Sequence, residues 1–472
     1  MVVKRYEPVE PVDNDFRILG DELKFKTSGK VAKNRFLKSA LSESLATWDA
    51  GDLTASGIPT ERLINMYDKW GHGDFGVVMT GNLQVNPTHL ESAGNMFICK
   101  ESWTEEKTRK FRHLANVIKH DKTLAIAQIS HAGRQTPITL NKHPFSASDV
   151  HLKFKAHNYV DNLSIVTEYA KPTPYSLEQI QSEVIHRFVF TAEKLYECGF
   201  DGVQLHGAHG YLLAQFLAPD TNLRTDKYGG SGEKRAQILV DIYNAIRLKI
   251  PASTGFIVGV KMNSVEFQAN GLGVEDAITT AKILDNIGMD FIEFSGGNYE
   301  DFVWTINDPT LKKESTLKRE AFFVQFVKAI KPHIKQAIVY ITGGFRTSSA
   351  MVQTVKSGVA EGIGLGRPAA AEPDLPLKLI SGNVTGAEFS PYQVGENFFI
   401  CMTQMVQAGE RAFSECNGDV CRDIMDHSNE EEMNYFFPEL WKFYKDRMHA
   451  FLNGIPVKGC CLYKPKFGNN EG

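Results

Sequence analysis

His206, His209 and Tyr211 follow directly on the apolar run Val203 to Leu205. That run is too short for a helix and is preceded by Gly202, so it reads as a buried strand. The end of a parallel strand, where the following loop begins, is where α/β architectures place their chemistry. Two imidazoles three residues apart with a phenol beyond can offer several hydrogen-bond donors to one small oxygen, a carbonyl or a phenolate. The same pattern is open to a metal pair, although zinc wants a third protein ligand, and no carboxylate or cysteine stands close by in sequence. It is also open to a structural histidine pair with a satisfied core tyrosine.

Other polar residues interrupt apolar runs in the same way. Gln128 ends Thr123-Leu-Ala-Ile-Ala, and Lys261 ends Phe256-Ile-Val-Gly-Val. An amide brings both a donor and an acceptor; a cation left unpaired in a core is costly, so Lys261 needs an anion, either a ligand or a neighbouring carboxylate. Gly81 closes the run Gly76-Val-Val-Met-Thr and reads either as a turn glycine or as a place where a flat ring approaches backbone. Near the C-terminal end, Thr342-Gly343-Gly344-Phe345-Arg346 and Gly366-Arg367-Pro368 each follow an apolar run. Glycine-rich loops opening onto helix N-termini after the last two strands of a barrel are a common seat for phosphate.

The run from Gly202 to Arg235, with Asn222-Leu-Arg224-Thr-Asp226-Lys-Tyr228-Gly229-Gly230-Ser231 in it, resembles the old yellow enzyme family of FMN-dependent ene-reductases and NADH:flavin oxidoreductases, and so do Asn34-Arg35, His131-Ala-Gly133-Arg134 and the two glycine loops. The resemblance covers roughly Asn34 to Pro376. It implies that His206 and His209 hold a substrate carbonyl and that Tyr211 protonates the α-carbon. It implies that Ala40 and Leu41 offer backbone to the flavin, that Ser42 sits near its reactive edge, and that Gly81, Gln128 and Lys261 line the ring. Gly343, Gly344, Phe345, Gly366 and Arg367 are implied to hold the FMN phosphate. Two positions depart from the family: Ser42 stands where threonine or cysteine is usual, and Lys261 where arginine is more common. Lysine keeps the charge and loses the bidentate fork. Arg224, Asp226, Tyr228 and Arg235 are expected to fasten the loop and the next helix, and His131 and Arg134 to be loop structure.

The elements that must position these residues alternate in order. Leu23 to Phe25 and Val31 to Leu37 flank Ser28-Gly29 as a hairpin, leading into a first barrel strand, Phe36 to Ser42. Leu63, Met66, Tyr67 and Trp70 make one face of a helix, and Gly76 to Gly81 is the second strand. Thr104 caps a helix through His120, and the third strand ends at Gln128. Asn141 to Thr173 has no clear period and many aromatics, among them Phe145, Phe154, Tyr159 and Tyr169, as expected of a lid. Ser176-Leu-Glu-Gln179 is a capping box, and its helix delivers the chain to the histidines. Strands five to eight fall at Phe256 to Val260, Phe291 to Phe294, Ile338 to Ile341 and Gly362 to Leu365. Pro391 to Phe413 and Asn429 to Leu452 read as helices that pack across the barrel bottom or between subunits.

Hydrophobic residues make up 42% of 472 residues, enough for a large core. The net charge of −4 and the pI near 6.4 argue against nucleic acid or an anionic membrane as partner. No apolar run reaches membrane-spanning length, and Met1 to Gly20 has no signal-peptide core, which points to an intracellular, cytoplasmic protein. Seven scattered cysteines without a C-x-x-C suit reduced thiols and leave no ligand set for the iron–sulfur cluster of one family branch.

The expected fold is therefore an α/β TIM (β/α)8 barrel over 34–380, with an N-terminal segment and hairpin at 1–33, a lid insertion at 141–175 and a helical C-terminal extension at 381–472. The resemblance implies an FMN enzyme that takes hydride from NADPH or NADH and reduces the C=C bond of an α,β-unsaturated carbonyl compound, with no metal and with a homo-oligomer open. The alternative is an FMN-binding sensor or carrier without turnover.

Overall fold

A computed structural model describes residues 3–8, 15–152, 168–264, 271–296, 324–392 and 394–467. The hairpin forms from β1 (Leu23–Lys24) and β2 (Val31–Ala32), antiparallel. The barrel strands are β3 (Phe36–Lys38), β4 (Val77–Met79), β6 (Leu124–Ser130), β9 (Gly202–Gly207), β10 (Ile257–Asn263), β11 (Phe291–Ser295), β12 (Ile338–Thr342) and β13 (Gly362–Leu365). Each pairs in parallel with the next, and β13 returns to β3, Ile363 opposite Phe36, so the barrel is closed. Short β5 (Leu83–Gln84) adds to β6 beyond the ring, and β7 (Phe145–Ser146) pairs with β8 (Thr173–Pro174) across the insertion. Positions 153–167, including Phe154 and Tyr159, lie outside the described residues.

Because successive side chains of a strand face opposite ways, each strand has one face to the helices and one to the barrel interior. In β11, Ile292 and Phe294 join the outer core with the surrounding helices, while Phe291, Glu293 and Ser295 face inward. The lower interior is apolar: Leu37, Val77, Met79, Ile126, Ile257, Phe291 and Tyr340 pack with Leu23, Phe25 and Ala32 of the hairpin. The hairpin is the plug of the barrel bottom. It is tied there by Ser28 N–H donating to Asp290 (2.8 Å) and by Lys30 pairing with Asp201 (3.0 Å).

The capping box at Ser176 is formed, its hydroxyl accepting from Gln179 N–H. The chain then passes through a π-helical stretch, Ile180–Ile185, into the helix His186–Glu197. The C-terminal helices span Val394–Ala408 and Glu430–Leu452; the second matches the bounds read from sequence, while the first stops short of Phe413, which starts a separate turn, Phe413–Glu415. They do not cover the barrel bottom, since the hairpin occupies it. The helix Val394–Ala408 instead packs on Glu61–Gly71 and Arg367–Ala371, and the tail reaches the loop after β3, where Cys460 Sγ lies 3.6 Å from the Glu43 carbonyl. No helix of the described residues is long and apolar enough to cross a membrane.

Candidate active site

Above the apolar plug the inward positions turn polar, and one connected cluster fills the barrel. Lys261 Nζ lies 2.9 Å from Glu293 Oε1 and donates to Ser39 Oγ at 2.9 Å. Ser39 and Thr342 hydroxyls each donate to Glu293 Oε1 at 2.6 Å. Gln204 Nε2 donates to Glu293 Oε2, and Gln128 Nε2 to Gln204 Oε1, both at 2.7 Å. Burial works to raise the Glu293 pKa, but Lys261, Ser39, Thr342 and Gln204 outweigh it and hold the carboxyl below its usual value. Lys261 thus has its anion inside the chain: the neighbouring-carboxylate reading holds, and burial alone gives no reason to assign the lysine charge to a flavin. Glu293, Gln204 and Ser39 escaped the sequence reading, although Glu293 interrupts Phe291-Ile-Glu-Phe294 as plainly as Lys261 interrupts β10.

His206 lies on β9 two residues beyond Gln204 and so faces the same interior. Its ring centre is 4.6 Å from that of Tyr211 and 5.3 Å from that of His209, the two imidazoles at right angles. His209 and Gly210 are both left-handed, with φ of 59° and 75°. This conformation is uncommon for histidine and turns the chain back over the barrel mouth. It is held by Asn263 Oδ1 accepting from His209 N–H (3.3 Å) and by a hydrogen bond between His209 Nε2 and Ser295 Oγ (3.0 Å). Tyr211 caps the helix Leu212–Leu217 and is buried. Its hydroxyl accepts from Asn82 Nδ2 at 3.4 Å. Asn82 Nδ2 also donates to Glu91 (2.6 Å), which accepts from Ser42 Oγ at 3.0 Å. The expected serine hydroxyl is therefore joined to the tyrosine through Asn82 and Glu91, two residues on an aperiodic stretch that no sequence pattern marked.

Burial, the neighbouring histidine and Lys261 push the His206 pKa well below its usual value, and burial with Lys261 pushes that of His209 down to about 3. Both imidazoles are neutral in the folded protein at physiological pH. An unfolded histidine titrates near about 6.5, so between that pH and about 3 the unfolded chain binds protons that the folded chain does not. Stability is expected to fall as pH drops through this window. Chemical denaturation at a series of pH values checks it: the His209→Asn variant should show a shallower loss than the parent, and an identical slope would refute the assignment.

The remaining expected residues sort by place. Ala40 and Leu41 lie just beyond β3, and the Leu41 side chain comes beside Gly366, which brings the loops after β3 and β13 together. Gly81 needs to be glycine for a reason internal to the chain: a Cβ there would strike Glu43 Oε2 (2.0 Å) and the Leu41 carbonyl (2.3 Å). Its N–H donates to Glu43 at 2.9 Å. Gly343 and Gly344 take φ of 133° and 84°, where side chains are disfavoured, while Phe345 is buried in the core. Arg346 and Arg367, from the two loops, both bear on the buried Cys401 thiol, lowering a pKa that burial pushes up to about 11. Arg224 pairs with Asp226 at 2.5 Å and Arg235 with Asp276 at 2.6 Å, and Tyr228 donates to Asp241 at 2.7 Å, the fastening role read from sequence. His131 bonds the Tyr175 hydroxyl at 3.1 Å and Arg134 donates to the Val150 carbonyl at 3.3 Å. Among the described residues, the metal-type side chains that cluster are Asp68, His72 and His120, ahead of β4 and β6 and away from the histidine pair.

Residues 24–385 match the model of the NADH:flavin oxidoreductase / NADH oxidase family. The chain belongs to that family. It is 39% identical over 370 residues to an NADH-dependent flavin oxidoreductase of Aspergillus parasiticus, covering 78% of this chain and 80% of the relative. A second NADH-dependent flavin oxidoreductase, of Hypocrea jecorina, is 32% identical over 353 residues, covering 74% and 85%. An old yellow enzyme homologue from Zymomonas mobilis superposes with a TM-score of 0.62 at 22% identity, covering 80% of this chain and 96% of that one. Morphinone reductase gives 0.62 at 20% identity, covering 80% and 92%. The protein is thus an enzyme of this oxidoreductase family, working with FMN and a nicotinamide on a TIM barrel of the old yellow enzyme kind.

The residues present fit FMN. The positive-φ glycine pair with Arg346, and Gly366 with Arg367, stand in the loops that follow the paired strands β12 and β13, donor types suited to a phosphate. Over the polar layer, His206 Nδ1 is buried with no hydrogen-bond partner among the described residues. A buried polar atom left in this way marks a place for a partner from outside the chain.

Proposed function

We propose that the enzyme reduces the C=C bond of α,β-unsaturated carbonyl compounds, enones or enals, with His206 and His209 holding the carbonyl oxygen and Tyr211 protonating the α-carbon. The observation that carries this reading is the unpartnered His206 Nδ1 beside a perpendicular second imidazole and a buried phenol. Ala40, Leu41, Ser42, Gly81, Gln128, Lys261, Gly343, Gly344, Phe345, Gly366 and Arg367 would hold FMN, which when bound would supply hydride chemistry, with NADH or NADPH as the source.

The side chains do the rest. Neutral imidazoles aim N–H groups at one oxygen and stabilise negative charge as it grows there, a contribution of about 3 kcal/mol per well-placed donor. Their perpendicular planes let both converge without stacking. Tyr211 reaches the carbon next to the carbonyl from the adjacent helix start. Its hydroxyl is steadied by Asn82, which Glu91 holds in turn. The lower plug keeps water from entering through the barrel bottom.

Anaerobic addition of NADH or NADPH should bleach the yellow holoenzyme, and cyclohexenone should then restore the colour. Protein that bleaches and is reoxidised by oxygen, but by no enone of a broad panel, would sink the proposal.

A further inference from the structure

The family match ends at residue 385, yet the chain beyond it walls a cavity that opens on Ser42. The helices Val394–Ala408 and Glu430–Leu452 contribute Phe399, Met402, Tyr444 and Arg447, and Ser42 and Glu91 form the side toward the barrel. The cavity holds about 200 Å³; roughly 150 Å³ of apolar space is enough for a benzene ring. Its apolar wall is built into a core: Phe399 meets Tyr444 edge-on at 4.3 Å, and both pack with Met433, Phe436 and Leu440. Through Glu91 and Asn82 the cavity stands two hydrogen bonds from the Tyr211 hydroxyl.

The two ends differ in charge. Glu91, bonded to Ser42 and Asn82, makes the barrel end negative. Arg447 makes the other end positive: it is half-buried, gives one hydrogen bond to the Gly459 carbonyl (3.2 Å), and has no ion pair among the described residues. A ligand with a carboxylate would be oriented in this space, its anion at Arg447 and its other end toward Ser42 and Glu91.

We propose that the C-terminal extension forms a distal subsite of the active site, selecting enones whose far end is a single flat aromatic ring bearing a carboxylate. This rests on the reading of the barrel mouth as an enone site, and the test separates the two. In the holoenzyme, kcat/KM is compared for cyclohexenone, benzylideneacetone and para-carboxybenzylideneacetone, and Kd for the carboxylated compound is read from the flavin spectrum without nicotinamide. Arg447→Met should lower the carboxylated-to-plain ratio at least fivefold and weaken Kd by a similar factor. Phe399→Trp, which fills the cavity, should lower the benzylideneacetone-to-cyclohexenone ratio at least fivefold, with retained FMN content showing that it folds. Unchanged ratios and unchanged Kd in the Arg447 variant would overturn the subsite. If no enone is reduced but Arg447→Met still weakens Kd, the subsite stands and the reduction chemistry falls.

Discussion

Tyr211→Phe is expected to leave bleaching of the flavin by NADH or NADPH within about twofold of the parent and to slow enone reduction by about 10²- to 10⁴-fold, the usual worth of a positioned proton donor. The substitution is a clean one. Phenylalanine keeps the ring that packs 4.6 Å from His206, and the Asn82 amide that loses the phenol oxygen still donates to Glu91. The lost hydrogen bond to Asn82 costs about 1 kcal/mol. Stopped-flow measurement of the two half-reactions separates the outcomes. Equal slowing of both would point to a displaced flavin, and undiminished enone reduction would remove the tyrosine from proton transfer.

The largest effect on stability should come from Lys261→Met. Glu293 would then sit fully buried without its cation, and breaking a buried pair from one side typically costs about 3–5 kcal/mol. The donors from Ser39, Thr342 and Gln204 remain and soften the loss. In the variant the Glu293 carboxyl should take up a proton, its folded pKa rising above the unfolded one. The folded state then binds more protons than the unfolded, so the deficit grows as pH rises and shrinks toward about pH 4. Adding Glu293→Gln should recover most of the loss. Denaturant midpoints of the parent, both single variants and the double variant decide it; a double variant no better than Lys261→Met alone would show that the pair is not coupled as described.

The strand order and most helix bounds were legible because their signal is local: an apolar run, a capping residue, a stop. Thr104 and Ser176 cap the helices expected of them, and Thr60 and Ser231 cap two more in the same way. What sequence could not give was the face. Lys38 and Lys261 interrupt apolar runs alike, yet Lys38 points outward onto the Trp70 ring (3.9 Å) while Lys261 points inward to Glu293. Parity within a two- or three-residue strand is too short to read. Gly81 was legible as special, but its contact with Glu43 was not, because tertiary packing brings Glu43 there. Asn82 and Glu91 lie on a stretch without period, and only the closed barrel shows that they stand beside Tyr211. The extension's two long helices were legible, but their packing on Glu61–Gly71 and Arg367–Ala371 is tertiary and was not.

The seam between β3 and β13 has a consequence for how the molecule is made. Its two strands are the first and last of the barrel, Phe36–Lys38 and Gly362–Leu365, so a ribosome has delivered seven barrel strands before the eighth can seal the ring. Through most of translation the nascent sheet carries two naked edges, each able to capture a strand from another chain. Contacts of such long span also make closure slow once synthesis ends. Yield in a foreign host should therefore depend on temperature and chaperone supply more steeply than the finished barrel's stability would suggest.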